Sequence, residues 1–429
     1  MEIIENQRKR NNLFIIIGFL APIRFPYLPL ISPLEIISII YFIQSFFKSN
    51  FNKSKLLKSK VFRSLRILFF LWIGSQTVSD ILNKVAVTKS IRGIGIPFLV
   101  YVTLLFLIAI YEKNNRDTGF IKYYFLGHSV SFIFFSIINS LNNEDIFSFF
   151  KWGVLIYLAI LGLILISNNL LKLFLILIIF ISSTLLQVRS NSFIFFVFLF
   201  SKFNIFQNRF KSKVKDLNIF KVISGGVLNF FFILLLLFSS GPIYSLIAKG
   251  IVNISINPNR TQLIREQNES FFDTRLEYYS YFEQFKDSPI WGKGSWAVDK
   301  DLKYNLIKER NSPFNKNFTD SYLLWRIDEI SRIKDDLDNT LVPVHSFLMQ
   351  AITWGGILSG LFYFYLLNLN IFMLLDRSLN NISRLYISLN IFNIFFSPLG
   401  NNRFTLPIVC FLTIIYFLEK NLQNNNARF

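Results

Sequence analysis

This sequence has very little cysteine and histidine, and it has no glycine loop of the nucleotide-binding type. Its 429 residues include one cysteine and two histidines. Neither an intrachain disulfide nor a zinc site built on cysteine and histidine clusters can therefore form. No glycine-rich loop of the kind that cradles a nucleotide phosphate or a dinucleotide is present. These absences exclude disulfide-stabilised scaffolds, and they leave nucleotide-driven chemistry without support. No cofactor or metal is expected.

Apolar residues, in contrast, are abundant. They make up 52% of the chain, the mean hydropathy is +0.45, and many runs approach the ~20 residues that cross about 30 Å of hydrocarbon. We therefore predict an all-α polytopic membrane protein with about 12 transmembrane helices. The predicted spans lie near residues 13–30, 32–48, 63–80, 94–111, 120–139, 152–168, 170–187, 190–203, 220–240, 344–370, 383–398 and 404–419.

The net charge of +19 is explained by membrane orientation rather than by nucleic-acid binding. Lys and Arg concentrate in every second segment between spans, as in residues 8–10, 48–66 and 202–221, and such residues are retained in the cytoplasm. Both termini are then cytoplasmic. The chain divides into an N-terminal transmembrane bundle of about nine helices (1–240), a large, partly helical periplasmic loop (241–343) and about three C-terminal transmembrane helices (344–429).

The junction between this loop and the tenth span carries one of the two histidines. His345 lies where a helix would enter the membrane, and Pro343 suits the mouth of such a helix because its fixed φ costs nothing there. A histidine there could meet both water and a lipid-borne substrate. A small-residue patch follows, which we interpret as a site of close helix packing. Its members are Gly355, Gly356, Ser359 and Gly360.

Three short motifs resemble the O-antigen ligase and O-antigen polymerase superfamily. The first is His-Ser-x-Leu from His345, followed by Trp-Gly-Gly-Ile-Leu-x-Gly. The second is Arg275 followed by aromatic residues and a D-x-P-x-x-G-x-G turn. The third is Arg189 between two apolar runs. The members of the turn are Asp287, Pro289, Gly292 and Gly294.

The resemblance implies a metal-independent, inverting membrane glycosyltransferase in the bacterial inner membrane. Its donor would be a glycan on undecaprenyl diphosphate, and its acceptor a sugar hydroxyl of a lipid-linked repeat unit (polymerase) or of the lipid A core (ligase). The corresponding histidine, His345, is the expected general base. Arg189 and Arg275 are the expected ligands of the diphosphate, since guanidinium groups stabilise charge growing on a leaving group. Arg260 and Arg265 are further candidates for that role. Polysaccharide-assembly proteins are possible partners.

Other interpretations remain open at this stage. A transporter or flippase of lipid-linked oligosaccharide would also be polytopic, although it would favour internal repeats, which we do not find. A structural partner in an export complex is a third possibility. Arg189 could instead snorkel to lipid headgroups, and Arg275 could form a surface salt bridge. The sequence does not distinguish polymerase from ligase.

The remaining polar residues of interest have simpler interpretations. Glu35 is an intramembrane acid, and hence a functional candidate by default, with no assigned role. His128 lies in an apolar stretch and is expected to pack between helices. Three acids near the end of the loop are expected to form a solvated helix end rather than a metal site. These acids are Asp335, Asp336 and Asp338.

Overall fold

The computed structural model describes an all-helical chain. It covers residues 2–23, 31–47, 54–117, 119–141, 154–185, 189–202, 218–239, 277–310, 341–344, 346–397, 399 and 403–426. Within these ranges the only extended pairing is an isolated bridge between Val298 and Leu341. A short 3₁₀ helix spans Lys300–Leu302. The α-helices are α1 (Glu2–Leu20), α2 (Pro33–Phe47), α3 (Lys60–Leu82), α4 (Val87–Lys113), α5 (Gly119–Leu141), α6 (Val154–Leu165), α7 (Asn169–Leu185), α8 (Arg189–Phe200), α9 (Ile219–Ser239), α10 (Glu277–Asp287), α11 (Lys303–Arg310), α12 (Phe347–Gly355), α13 (Ile357–Leu374), α14 (Asn381–Phe396) and α15 (Thr405–Asn426).

Four of the described helices are long and apolar enough to cross a membrane. They are Lys60–Leu82, Val87–Lys113, Gly119–Ile138 and Ile357–Leu374. Their outward surfaces carry large exposed apolar side chains, including Phe70, Ile81 and Val87, as expected of surfaces that face lipid. This arrangement fits an α-helical membrane protein.

The prediction of about 12 spans is matched in part. Each predicted span overlaps a helix, but several of these helices are short. The 12 residues of α6 and of α8 would extend about 18 Å at 1.5 Å per residue, less than the ~30 Å of a hydrocarbon core. The full number of crossings therefore stays a prediction.

Two predicted spans have different bounds in the structure. The first helix runs Glu2–Leu20 instead of 13–30, because the polar residues before Leu13 include good helix formers and Pro22 lies just past its end. The single helix predicted over 344–370 is broken into α12 and α13 at Gly356. The break has a tertiary cause, which is described with the site.

Helix α13 lies at the centre of the bundle and packs against α3, α9, α12, α14 and α15. Its contact with α3 is aromatic: the ring of Trp72 lies 5.3 Å from that of Phe362 and 5.2 Å from that of Tyr363. Gly355 contacts α3 near Gln76, so α3 and α13 run in opposite directions. The C-terminus of α3 and the start of α13 therefore lie at the same end of the bundle.

Polar contacts close the two ends of the bundle. At one end, Lys420 of α15 pairs with Asp376, which follows α13, at 2.6 Å. Arg384 donates hydrogen bonds there to backbone oxygens of Ser201 and Asp376. We call the opposite end the loop end, because residues 277–300 of the long loop pack there against α3, α12 and α14.

Candidate functional site

Two motifs far apart in the sequence meet at the loop end. Residues 287–295, which we call the docked turn, form backbone hydrogen bonds with the segment that joins α12 to α13. Lys293 N–H donates to Thr353 O at 2.6 Å, and Gly294 N–H donates to Trp354 O at 3.0 Å. In the other direction, Ile357 N–H donates to Pro289 O at 3.0 Å. The D-x-P-x-x-G-x-G and Trp-Gly-Gly-Ile motifs are therefore two halves of one structure.

Glycine is required at the centre of this contact. Gly356 has φ +74° and ψ −173°, a region that residues with a side chain rarely occupy. A Cβ on Gly356 would lie 1.7 Å from the carbonyl oxygen of Ile290. Gly292, with φ +70°, faces it across the contact, and a Cβ there would lie 2.6 Å from Gly356 N. The small-residue patch thus receives the backbone of the docked turn at Gly356, a contact that the sequence did not predict. At Gly355 it lies against the backbone of α3 near Gln76, in the close helix packing that the sequence did predict.

The C-terminal half of α3 holds both halves of the contact. The Asp80 carboxylate is buried and accepts from Ser295 N–H at 2.5 Å, Ser295 Oγ at 2.8 Å and Ser90 Oγ at 2.7 Å. Gln76 Nε2 donates to Ser295 Oγ at 2.7 Å. Ser79 Oγ donates to Trp354 O at 2.6 Å. One polar face of α3, a candidate membrane span, therefore fixes the docked turn.

Sequence reasoning missed these α3 residues, although a signal was present. Polar residues at positions 75, 76, 79 and 80 recur with helical spacing in the part of α3 that follows the apolar run 67–73. Polar groups are costly inside a membrane, so a stripe of them faces the protein interior and binds a partner. The pattern identifies the stripe, but it does not identify the turn that it binds.

A second cluster of contacts surrounds the C-terminus of α14. Ser346 Oγ caps α12 by accepting from Met349 N–H at 3.1 Å, and it donates to Ile394 O at 2.6 Å. The Tyr278 hydroxyl of α10 donates to Phe395 O at 2.7 Å. The Phe396 ring lies 6.1 Å from the Tyr278 ring and 5.7 Å from the Phe193 ring of α8. The N-terminal parts of α8, α10 and α12 therefore meet at the last turn of α14.

The expected catalytic and diphosphate-binding side chains lie outside the described part of the structure. His345, Arg275, Arg265 and Arg260 fall in undescribed segments, and so does the cluster of three acids at 335–338. Arg189 is the first residue of α8, with its backbone described and its side chain not. The structure does describe the sequence neighbours of three of these residues: Ser346 follows His345, α10 begins two residues after Arg275, and Phe193 lies one helical turn after Arg189.

Glu35, near the start of α2, has a partner that the sequence did not reveal. Arg403, just before α15, donates from Nε to Glu35 Oε1 at 2.9 Å and from a terminal nitrogen to Oε2 at 3.0 Å. The Arg403 side chain is 1% exposed. Ser32 N–H also donates to Glu35 Oε2, at 2.6 Å. The bidentate pair ties the start of α2 to the start of α15.

The other histidine, His128, packs as expected. Its ring is fully buried and lies 5.3 Å from the ring of Tyr157, 5.8 Å from that of Tyr124 and 5.3 Å from that of Phe404. Among the described residues, no group of three or more His, Cys, Asp and Glu side chains could hold a metal ion.

Charged residues of the loop stabilise the segment beside the docked turn. Asp287 pairs with Lys303 at 2.7 Å and accepts from the Tyr304 hydroxyl. The hydrogen bond from Lys303, followed by that from Tyr304, lowers the pKa of Asp287 below its ordinary 3.8. Burial raises the pKa of Asp299, although backbone and side-chain hydrogen bonds from Tyr304 and Asn305 oppose the shift. These contacts fix α11 against the end of α10.

No protein-family model, curated protein or solved structure matches this chain. The resemblance to the O-antigen ligase and polymerase superfamily therefore depends on the three sequence motifs alone. What the structure adds is that parts of two of these motifs contact each other directly, at 287–294 and 353–357.

Proposed function

We propose that the chain is a membrane glycosyltransferase of the O-antigen polymerase or ligase type. It would transfer a glycan from undecaprenyl diphosphate to a sugar hydroxyl, either on a lipid-linked repeat unit or on the lipid A core. The observation that carries the proposal is the mutual docking of 287–294 and 353–357. Direct contact between two segments that each resemble the same family supports their interpretation as parts of one site.

The contacts around α14 also support one site. The described neighbours of His345, Arg275 and Arg189 all reach its last turn, through Ser346, Tyr278 and Phe193 respectively. Because their neighbours meet there, the His345 base and the two arginines, Arg189 and Arg275, could act on one substrate. In this proposal the site lies at the loop end, between the start of α12 and the starts of α8 and α10.

The proposed reaction is a direct displacement at the anomeric carbon. His345 takes the proton of the acceptor hydroxyl, whose oxygen forms the new glycosidic bond. The bond from the anomeric carbon to the diphosphate oxygen breaks, and its electron pair remains on the diphosphate. Arg189 and Arg275, with Arg260 and Arg265 as further candidates, bind that developing charge. Attack from the opposite face inverts the anomeric configuration.

The proposed location is the bacterial inner membrane, with about 12 crossings, cytoplasmic termini and a periplasmic loop end. The distribution of charge in the structure supports this orientation. The end opposite the loop carries Lys420, Arg384 and the positive segment that begins α3, as cytoplasmic ends do. The energy of transfer would come from the activated lipid diphosphate.

The test is glycan analysis in a strain that lacks the chain, complemented with wild type, His345→Ala or a control, Lys300→Ala, at matched membrane levels. Glycans that stop at one repeat unit with His345→Ala identify a polymerase. Full-length polymer retained on undecaprenyl diphosphate identifies a ligase. Normal glycans with His345→Ala would remove the catalytic role and favour the transporter or structural alternatives. Lys300 is exposed, and its removal should change nothing.

A further inference from the structure

Helix α10 is amphipathic in an unusual sense, because both of its faces carry aromatic residues. One face is buried in the protein through Tyr278, Tyr281 and Gln284. The other face exposes Phe282 and Phe285, each 41% accessible. The docked turn extends this outer surface with two further large side chains. These are Ile290, 54% exposed, and Trp291, 42% exposed.

We call these four residues the aromatic patch, and such a group is not expected on a loop that faces water. Soluble surfaces rarely group large apolar side chains in this way. Lys286, in the last turn of α10, has a side chain that is 68% exposed and pairs with Glu283 of the same helix at 2.6 Å. Aromatic residues bordered by a lysine are typical of helices that lie in a lipid–water interface, where the rings enter the acyl boundary and the ammonium group meets headgroups.

The position of the aromatic patch agrees with that depth. Pro289 O accepts from the N–H of Ile357, which is the first residue of α13, one of the four helices long enough to cross a membrane. The docked turn also contacts α3 at its C-terminus, through the hydrogen bond between Asp80 and Ser295. The patch is thus level with the ends of two candidate spans.

The apolar surface continues from the spans to the patch. At the same end of α3, Ile81 is 71% exposed and Leu82 is 58% exposed. Both lie beside Asn83, whose side chain donates to Gly292 O in the docked turn. A surface of the spanning helices that faces lipid therefore leads directly to Ile290 and Trp291.

We propose that the aromatic patch is inserted in the lipid–water interface of the bilayer, so that α10 lies on the membrane instead of standing in the aqueous compartment. The partner is the bilayer itself, at the boundary of headgroups and acyl chains. Insertion holds the docked turn and the last turn of α14 at headgroup depth. This inference depends on exposure and position alone, and it stands whether or not the chain transfers glycans.

Site-specific fluorescence quenching tests the proposal. Cys410 is the single cysteine and is fully buried, so wild type is expected to resist labelling and provides the blank. Phe285→Cys and Ile290→Cys replace exposed side chains and leave the packed face of α10 intact. Lys300→Cys is the matched control, exposed but beyond the docked turn. Each variant is labelled with a small fluorophore in vesicles of phosphatidylcholine and phosphatidylglycerol.

The two quenchers are a nitroxide attached to the lipid near the headgroup and aqueous iodide. We expect the nitroxide to quench labels at 285 and 290 at least threefold more than the label at 300, and iodide to show the reverse order. Labels at 285 and 290 that respond to iodide as strongly as the control, and not to the nitroxide, would overturn the proposal. Labels that neither quencher reaches would also overturn it, because a protein surface such as a second copy would then cover the patch.

Discussion

Asp80 lies beneath the docked turn, and we expect Asp80→Ala to release that turn while the bundle remains folded. The carboxylate accepts three hydrogen bonds: two from Ser295 and one from Ser90. Alanine would leave all three donors without this acceptor in a buried site. Because Asp80 is at the C-terminal end of α3, with its carboxylate directed at the loop, the change removes no apolar contact from the middle of the helix.

The magnitude follows from the type of hydrogen bond. A bond to a charged acceptor contributes about 1.5–3 kcal/mol, and the three bonds share one acceptor, so they do not add in full. We take about 3 kcal/mol as the loss for Asp80→Ala. At about 1.4 kcal/mol per factor of ten, opening of the turn becomes on the order of 100-fold more frequent. Asp80→Asn keeps one oxygen acceptor and should make opening of the docked turn about tenfold more frequent. Ser90→Ala should have a smaller effect on opening.

Hydrogen exchange measured by mass spectrometry gives a direct assay, because the peptide 289–296 contains the amides that the docked turn protects. Gly294 N–H and Ser295 N–H donate to Trp354 O and to Asp80, and local opening exposes both. We expect exchange to accelerate in the order Ser90→Ala, Asp80→Asn, Asp80→Ala, with peptides of α13 unchanged. Unchanged exchange of 289–296 in folded Asp80→Ala would refute the role assigned to this carboxylate.

Three further predictions concern backbone, charge and pH. Gly356→Ala should lower the free energy of unfolding by more than about 3 kcal/mol, because its backbone conformation is disallowed for alanine and its methyl group would clash with the docked turn. The melting temperature in detergent should fall accordingly. Gly74→Ala, the control at a helix position with open space around it, should be neutral or stabilising by up to about 1 kcal/mol. Glu35→Leu or Arg403→Met alone should destabilise the fold by about 3–5 kcal/mol, because a buried charge loses its partner. The double variant should recover most of that loss. A double variant that is no more stable than the single variants would contradict the pairing. The pKa of Asp287 is lower in the folded chain than its ordinary 3.8, so its stabilising contribution is present above about pH 3.8 and is lost as the pH falls through the lower folded value. Asp287→Asn should remove that loss when melting temperature is measured against pH. A variant whose melting temperature falls at acid pH as that of wild type does would contradict the prediction.

The sequence by itself determined the helical class and most helix positions. Long apolar runs cannot satisfy their backbone groups in lipid except as helices, so composition and run length were enough to locate a helix in every predicted span. Helix ends were less certain, as α1 shows, because polar residues such as those before Leu13 can prolong a helix beyond its apolar run.

The break at Gly356 was decided by tertiary structure. Within the sequence, Trp-Gly-Gly-Ile reads as part of a continuous apolar helix with a packing motif. The chain departs from helical geometry there because the carbonyl of Ile290 occupies the space next to Gly356, and Ile290 lies more than 60 positions away. No local pattern contains that information.

The partners of the buried charges were likewise beyond the sequence. Glu35 was recognised as an acid in an apolar helix, since burying a charge demands compensation, whereas Asp80 was not singled out from the sequence. Which group compensates depends on how helices distant in the chain pack, and the structure pairs Glu35 with Arg403 and Asp80 with Ser295. The sequence thus determined that such partners must exist and which segments would be helical, and only the folded arrangement of those helices decided which residues meet.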